Sequence, residues 1–196
     1  MTTRPLLPSE VPRAAALAAD AFHHDPLFTH LYPDPERRRR GLRIEFAAYL
    51  RRIYLAVGTA ETTGAVDGVA LWLPPDQADS LGWRERLLVP TIFRAVGWRR
   101  FLVTLRDYAA FEAAFPDEPV HYLGLLATAP EAQGQGVGSA LLRAGLERAD
   151  SDGLPVYLET GTERNVAFYE RHGFRVTGTV ELPHGPDHWA MQRDPA

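Results

Sequence analysis

The sequence predicts a mixed α/β fold built on a central sheet. Apolar runs of strand length recur at 66–73, 120–128 and 156–160. Segments with a helical apolar stripe lie before, between and after them, and a run of alternate glycines joins one strand directly to the next helix. Elements that intermix in this order pack as helices against a sheet, because each apolar stripe and each sheet face must be covered.

Ser9 to Phe22 reads as the first helix. Ser9 can cap it, Pro12 suits its first turn, and Val11, Ala14, Leu17, Ala18, Ala21 and Phe22 form one stripe. His23 to Pro33 reads as a loop. Pro35 to Val57 reads as one long helix with Leu42, Phe46, Tyr49, Leu50 and Ile53 on one side. Thr59 to Thr63 and Val66 to Leu73 read as strands around turn residues Gly64 and Asp67-Gly68, ended by Pro74-Pro75. Ser80 to Pro116 reads as a helical block in two or three pieces, broken near Pro90 and Gly97. Val120 to Thr128 is then a strand, about Gly136 to Asp150 a helix, Val156 to Thr160 a strand and Arg164 to His172 a short helix. Phe174 to Glu181 and His188 to Gln192 close as an antiparallel pair around Pro183-His184-Gly185-Pro186. No repeat or low-complexity linker interrupts the chain. Residues 1–196 therefore read as a single domain with a helical insertion at about 80–116.

Composition excludes several function classes. With 45% hydrophobic and 23% charged residues, the chain is globular rather than disordered. A net charge of -4 argues against nucleic-acid binding through a basic face. No apolar run reaches the roughly 18 residues of a membrane span, and Met1 to Glu10 lacks the apolar stretch of a signal peptide. Cysteine is absent, which removes disulfides, thiolate metal sites and a cysteine nucleophile, and is compatible with a reducing cytoplasm. The expectation is a cytoplasmic protein with neither membrane nor nucleic acid as partner. All 21 basic residues are arginine, so a P-loop lysine and Schiff-base chemistry are excluded. This arginine-only, alanine-rich usage points to a GC-rich bacterial genome, a coding bias rather than a function.

The chemistry-bearing segment runs from Leu125 to Leu142. An apolar strand enters a turn, and Gly134, Gly136 and Gly138 alternate before an amphipathic helix. Such glycines let a ligand approach the backbone, and the N–H groups of the helix start, with its dipole, favour an anion there. The pattern suits a phosphate or pyrophosphate cradle. A merely packed helix start is the plain alternative. A dinucleotide fingerprint is another, but that motif spaces its third glycine one residue later and comes early in its βαβ unit.

These residues resemble the GCN5-related N-acetyltransferase (GNAT) superfamily, whose acetyl-CoA motif reads Arg/Gln-x-x-Gly-x-Gly/Ala. Gln133, Gly136 and Gly138 match it, with Pro130 before them. Asn165 to Phe174 resembles the family's Tyr-x-x-x-Gly-Phe through Tyr169, Gly173 and Phe174. The stretch from Leu158 to Met191 looks closest to puromycin N-acetyltransferase-like members. The resemblance implies the GNAT fold, a mostly antiparallel mixed sheet splayed at the cofactor site, with acetyl-CoA as cosubstrate. It implies that Leu126, Ala127 and Thr128 offer backbone groups to the pantetheine and acetyl carbonyl. Gly134, Gln135, Gly136, Val137, Gly138 and Ser139 would hold the pyrophosphate, beside Gln133. The family's usual Asn position, seven before the tyrosine, is Thr162 here. The asparagine stands instead at Asn165, as in the puromycin-type relatives, and is assigned to the cofactor.

Acetyl transfer needs a base for the acceptor ammonium and an acid for the departing thiolate. In the family layout Tyr169 resembles that acid; a core aromatic is the plain reading. Glu159 is a carboxylate within the apolar run Val156 to Thr160, a candidate base if it faces a cleft and a salt-bridged strand residue if it does not. Either His121 or Tyr122, at the start of the motif strand, can point at the acceptor; an exposed strand end is the alternative for His121. His23, His24, Asp25, His30 and Tyr32 fit no standard zinc spacing. By the resemblance their loop walls the acceptor pocket, so Asp25 and Tyr32 are assigned to the substrate, with His121 from the motif strand, and no metal is assigned. Arg37 to Arg40 reads as a solvated helix start. The stripes Leu81, Leu88, Phe93 and Phe101, Leu105, Tyr108, Phe111, Phe115 read as core or pocket cover.

The resemblance implies acetylation of a primary amine of a small molecule, with an aminonucleoside-like antibiotic as one candidate, by direct attack in a ternary complex. The alternatives are a protein lysine or N-terminus as acceptor, or a non-catalytic acyl-CoA-binding module. Oligomeric state is left open, a homodimer included.

Overall fold

The computed structural model describes residues 1–78 and 88–196. Its strands are β1 (Thr3–Pro5), β2 (Thr59–Thr63), β3 (Gly68–Leu73), β4 (His121–Thr128), β5 (Val156–Thr160), β6 (Arg175–Val180) and β7 (His188–Arg193). They form one seven-stranded sheet in the order β1-β2-β3-β4-β5-β7-β6. The β4–β5 pair is parallel and the other neighbours are antiparallel.

That parallel pair is short. His121 registers with Val156 and Tyr122 with Tyr157, and there the pairing stops. Beyond it β4 continues to Thr128 on β3, while β5 continues to Thr160 on β7. The two strands therefore part and leave a wedge, the splay that the resemblance implies. Backbone groups along the free edge of β4 need partners from elsewhere, because unpaired buried amides are costly.

The helices are α1 (Val11–Ala21), α2 (Pro26–Leu31), α3 (Pro35–Tyr49), α4 (Leu55–Val57), α5 (Pro75–Ala78), α6 (Val89–Val96), α7 (Trp98–Ala114), α8 (Val137–Asp152) and α9 (Glu163–Glu170). The expected loop at 23–33 contains α2. Asp25 accepts a hydrogen bond from the Leu27 N–H at 2.9 Å, and Pro26 occupies the first helical position, so the start signals were present in a helix too short to show a stripe. The expected long helix is interrupted by a π-helical turn, Leu50–Tyr54, which keeps Leu50, Ile53 and Tyr54 all buried. Tyr54 reaches β4 at Gly124, the residue left unopposed by a bulge between Leu123 and Leu125; a side chain there would overlap the Tyr54 hydroxyl.

Alternation along β5 and β7 divides two cores. Leu158 and Met191 face the side covered by Leu141 and Leu142 of α8. Tyr157 and Ala190 face the other side, where Phe111, Ala114 and Phe115 at the end of α7 cover the sheet. On the first side Gly145 of α8 lies directly against the Trp72 indole, and Arg148 forms a bidentate pair with Glu61 at 2.7 and 2.9 Å.

Several sequence expectations are corrected here. Strand β1 was unread because three residues carry too little pattern. Val66 sits in the turn at φ +55°, and its strand starts at Gly68. Arg38 is not solvated; it is buried and donates to the Tyr32 carbonyl at 2.7 Å, closing the end of α2. Phe93 and Leu105 are exposed rather than core. Ser80, Leu81 and Trp83 lie outside the described residues. Among the described residues, no helix is long and apolar enough to cross a membrane.

Candidate active site

The wedge opens into two cavities. One, of about 640 Å³, lies between the end of β4, the glycine turn and α9. The other, of about 450 Å³, lies beneath α7, bounded by α2, α3, β4 and β5. Five residues line both: Phe22, Asp25, Leu126, Asn165 and Tyr169. The cavities thus meet at the Tyr169 side chain.

The larger cavity is built by the chain's glycine alternation. Gly134 and Gly136 adopt φ +76° and +82°, a region that favours glycine, and nothing stands within 4 Å of where their side chains would begin. Gly136 is also the residue before α8, whose first N–H groups lack intrahelical partners. Leu126, Ala127, Thr128, Gln133, Gly134, Gly136, Val137, Gly138, Ser139 and Asn165 all line this cavity. Gln135 does not: its side chain turns back to donate to the Glu131 carbonyl at 2.8 Å. Thr162 caps α9 through its hydroxyl, which accepts from the Asn165 N–H at 3.3 Å. Arg164 and Arg171 stand at the same cavity. The open left-handed turn, the free helix N–H groups and these guanidiniums fit the phosphates of a coenzyme A group.

The smaller cavity holds carboxylates with unusual environments. Glu159 faces it from β5 and accepts a hydrogen bond from the Tyr122 hydroxyl at 3.0 Å. Burial pushes its carboxyl up to about 7, although the hydrogen bond from Tyr122 opposes that rise. Glu45 faces it from α3 and accepts from the Tyr32 hydroxyl at 2.6 Å and the Tyr108 hydroxyl at 2.9 Å. Burial raises its carboxyl too. Asp25, spent on capping α2, is likewise pushed up by burial. His188 lines the wall with Nδ1 3.0 Å from the Pro186 carbonyl, and burial lowers its pKa.

Tyr169 is buried, and burial alone raises its hydroxyl pKa. It therefore stays protonated throughout the physiological range.

Two residues assigned to substrate from the sequence lie elsewhere. Tyr32 is core: its ring packs on Gly41 and its hydroxyl holds Glu45 from behind. His121 lies 2.8 Å from Asp152 at the end of α8, outside both cavities. Its neighbour Tyr122 takes the place facing the cavity, as strand alternation requires. The histidine-rich segment does not converge either. His30 pairs with buried Asp107 at 3.1 Å, and among the described residues no acid or histidine group is arranged for a metal ion. Glu45 is an addition, and Tyr108, expected as core or pocket cover, lines the cavity and donates to Glu45. The available signal was a carboxylate at position 45 of the apolar stripe Leu42, Phe46, Tyr49.

The family model for acetyltransferase (GNAT) matches residues 23–174. The chain belongs to that family. It is an N-acetyltransferase, and such enzymes draw their acetyl group from acetyl-CoA. An uncharacterized N-acetyltransferase of Schizosaccharomyces pombe is 27% identical over 179 residues, which is 87% of this chain and 72% of the yeast protein. A Corynebacterium glutamicum structure, described as histone acetyltransferase HPA2 and related acetyltransferase, superposes with a TM-score of 0.74 at 28% identity, covering 100% of this chain and 96% of that one. A Drosophila melanogaster polyamine N-acetyltransferase superposes with a TM-score of 0.68 over 98% of this chain and 99% of its own, and at 14% identity shares the fold alone.

Proposed function

We propose that this acetyltransferase modifies the primary amine of a small molecule, in a ternary complex assembled across the wedge. One observation carries the reading: charge is segregated between two cavities that meet at Tyr169. Arg164 and Arg171 serve the larger cavity, where Asp25 is the single carboxylate among the described residues. Asp25, Glu45, Glu112, Asp117 and Glu159 line the smaller one, which among the described residues has no arginine. The first suits phosphates and the second an ammonium.

In this reading Gly134 to Ser139 hold the pyrophosphate on backbone N–H groups, and the free edge of β4 at Leu126 to Thr128 pairs with the pantetheine arm. Asn165, at the junction, faces that arm. The cosubstrate supplies an acetyl thioester, open to attack by a neutral amine. Glu159 makes the amine neutral. Its carboxyl, poised near pH 7, takes the proton that an ammonium of ordinary pKa about 10.4 would otherwise keep. The amine nitrogen then bonds to the carbonyl carbon. As the carbon–sulfur bond breaks, Tyr169 donates its proton to the departing sulfur, and the second proton lost by the nitrogen restores the Tyr169 hydroxyl.

The roof formed by α7 supports a small acceptor over an extended peptide. Leu158 to Thr160 and Phe168 to Arg171 also support a place among the puromycin N-acetyltransferase-like members. The test is coenzyme A release with puromycin, aminoglycosides, polyamines and peptide amines. Turnover of a small amine supports the reading. Turnover of peptides alone would assign a protein acceptor, and tight acetyl-CoA binding without any turnover would make the chain a binding module.

A further inference from the structure

Among the described residues, buried acids differ in what they pair with. Glu61 is paired with Arg148, and Asp107 with His30. Glu45 and Glu159 have tyrosine hydroxyls as partners, and among the described residues neither has a cation. Both face the same cavity. A buried carboxylate without a counter-charge is costly, and two hydroxyl donors only partly offset the lost hydration. Glu159 is explained by the proton it must take. Glu45 is not: it is 2% exposed, comes from helix α3 rather than strand β5, and shares no hydrogen-bond partner with Glu159. Its two tyrosines fix one hydroxyl on each oxygen, so the carboxylate is held in a single orientation with lone pairs left for a visiting donor. Phe46, Tyr49 and Phe111 line the same space and suit methylene groups.

Resting on the function proposed above, we propose that Glu45 anchors a second cationic centre of the acceptor. The preferred substrate is then a diamine, or an amine that also bears a guanidinium, held at one end by Glu45 and acetylated at the other beside Glu159.

The test compares kcat/KM for a series of α,ω-diaminoalkanes with that for monoamines of equal length. A charge-assisted hydrogen bond in a dry site should favour the best diamine by at least about tenfold. Glu45→Gln should reduce that preference by a similar factor, through KM for the diamine, while acetyl-CoA affinity by calorimetry stays at the parent value. Should that variant fail to fold, Tyr108→Phe, which removes one of the two hydroxyls, should lower the same ratio. Equal kcat/KM for diamines and monoamines in the parent protein overturns the inference and leaves the proposed function standing. So does a diamine preference that survives both substitutions. No turnover of any amine would overturn the proposed function, and this inference with it.

Discussion

Replacing Glu159 by glutamine should slow the enzyme and stabilise it at the same time. The side chain keeps its shape and its carbonyl can still accept the Tyr122 hydroxyl, so the change removes a titrating charge. General-base catalysis is worth about 10²–10⁴-fold, and kcat/KM should fall by that range. The parent kcat/KM should rise with pH through a limb centred near 7, where the buried carboxyl loses its proton. The variant should lack that limb. Stability follows from the same ionisation. In the unfolded chain the carboxyl titrates near its ordinary 4.5, and in the folded protein near 7. Between these values the folded state holds a proton that the unfolded state has lost, so stability falls as pH rises through the window. Below the window there is no penalty. Above it the penalty is complete, and at 1.36 kcal/mol per pH unit it comes to about 3 kcal/mol. Urea unfolding of both proteins across this window should show the variant gaining about that much on the parent. Parallel stability curves would refute the burial argument, and an unchanged kcat/KM would remove Glu159 from the base role.

Gly136→Asp places a negative side chain at φ +82°, where phosphate should sit. Calorimetry should show acetyl-CoA binding abolished while circular dichroism keeps the folded signal, since one left-handed residue costs only about 1–2 kcal/mol. Tyr169→Phe should lower kcat by about 10²–10⁴-fold with little change in KM for acetyl-CoA; a kcat within about threefold of the parent would exclude an essential acid. Its melting temperature should hold, because among the described residues none hydrogen-bonds the hydroxyl. Gly145→Val drives a side chain into the Trp72 indole and should cost about 1–3 kcal/mol of stability in urea unfolding, with kcat unaltered.

What the sequence disclosed depended on how local each cause was. The cradle was legible because left-handed backbone demands glycine at Gly134 and Gly136 whatever surrounds them. Glu159 was legible because a charge inside an apolar strand is conspicuous. Helix α2 and strand β1 were not, since six and three residues carry no periodicity. Tyr32 was assigned to the acceptor on its position in a loop, yet its ring is fixed by Gly41 and its hydroxyl by Glu45, neighbours that only the packing of α3 supplies. Between His121 and Tyr122 alternation guarantees opposite faces, but which face meets the cavity depends on where α8 ends, at Asp152. Glu45 shows the converse error. A single carboxylate in an apolar stripe was passed over because the stripe alone sufficed to explain the helix.

Helix α7 contributes more than a cover for the smaller cavity. Phe115, just past α7, lies 5.3 Å from the Tyr122 ring and 5.2 Å from that of Tyr157, edge to face in both cases. Those tyrosines are the last register pair before β4 and β5 part. The Tyr157 hydroxyl also donates to the Ala114 carbonyl at 3.3 Å, so the end of α7 is pinned to the mouth of the wedge by rings and by a hydrogen bond. Tyr122, held in this cluster, is the residue that orients Glu159. About two turns earlier the same helix supplies Tyr108 to Glu45. One element therefore braces the opening between the strands and positions the tyrosines that hold Glu159 and Glu45 in the smaller cavity. The charge of that cavity and its shape cannot be changed independently through α7.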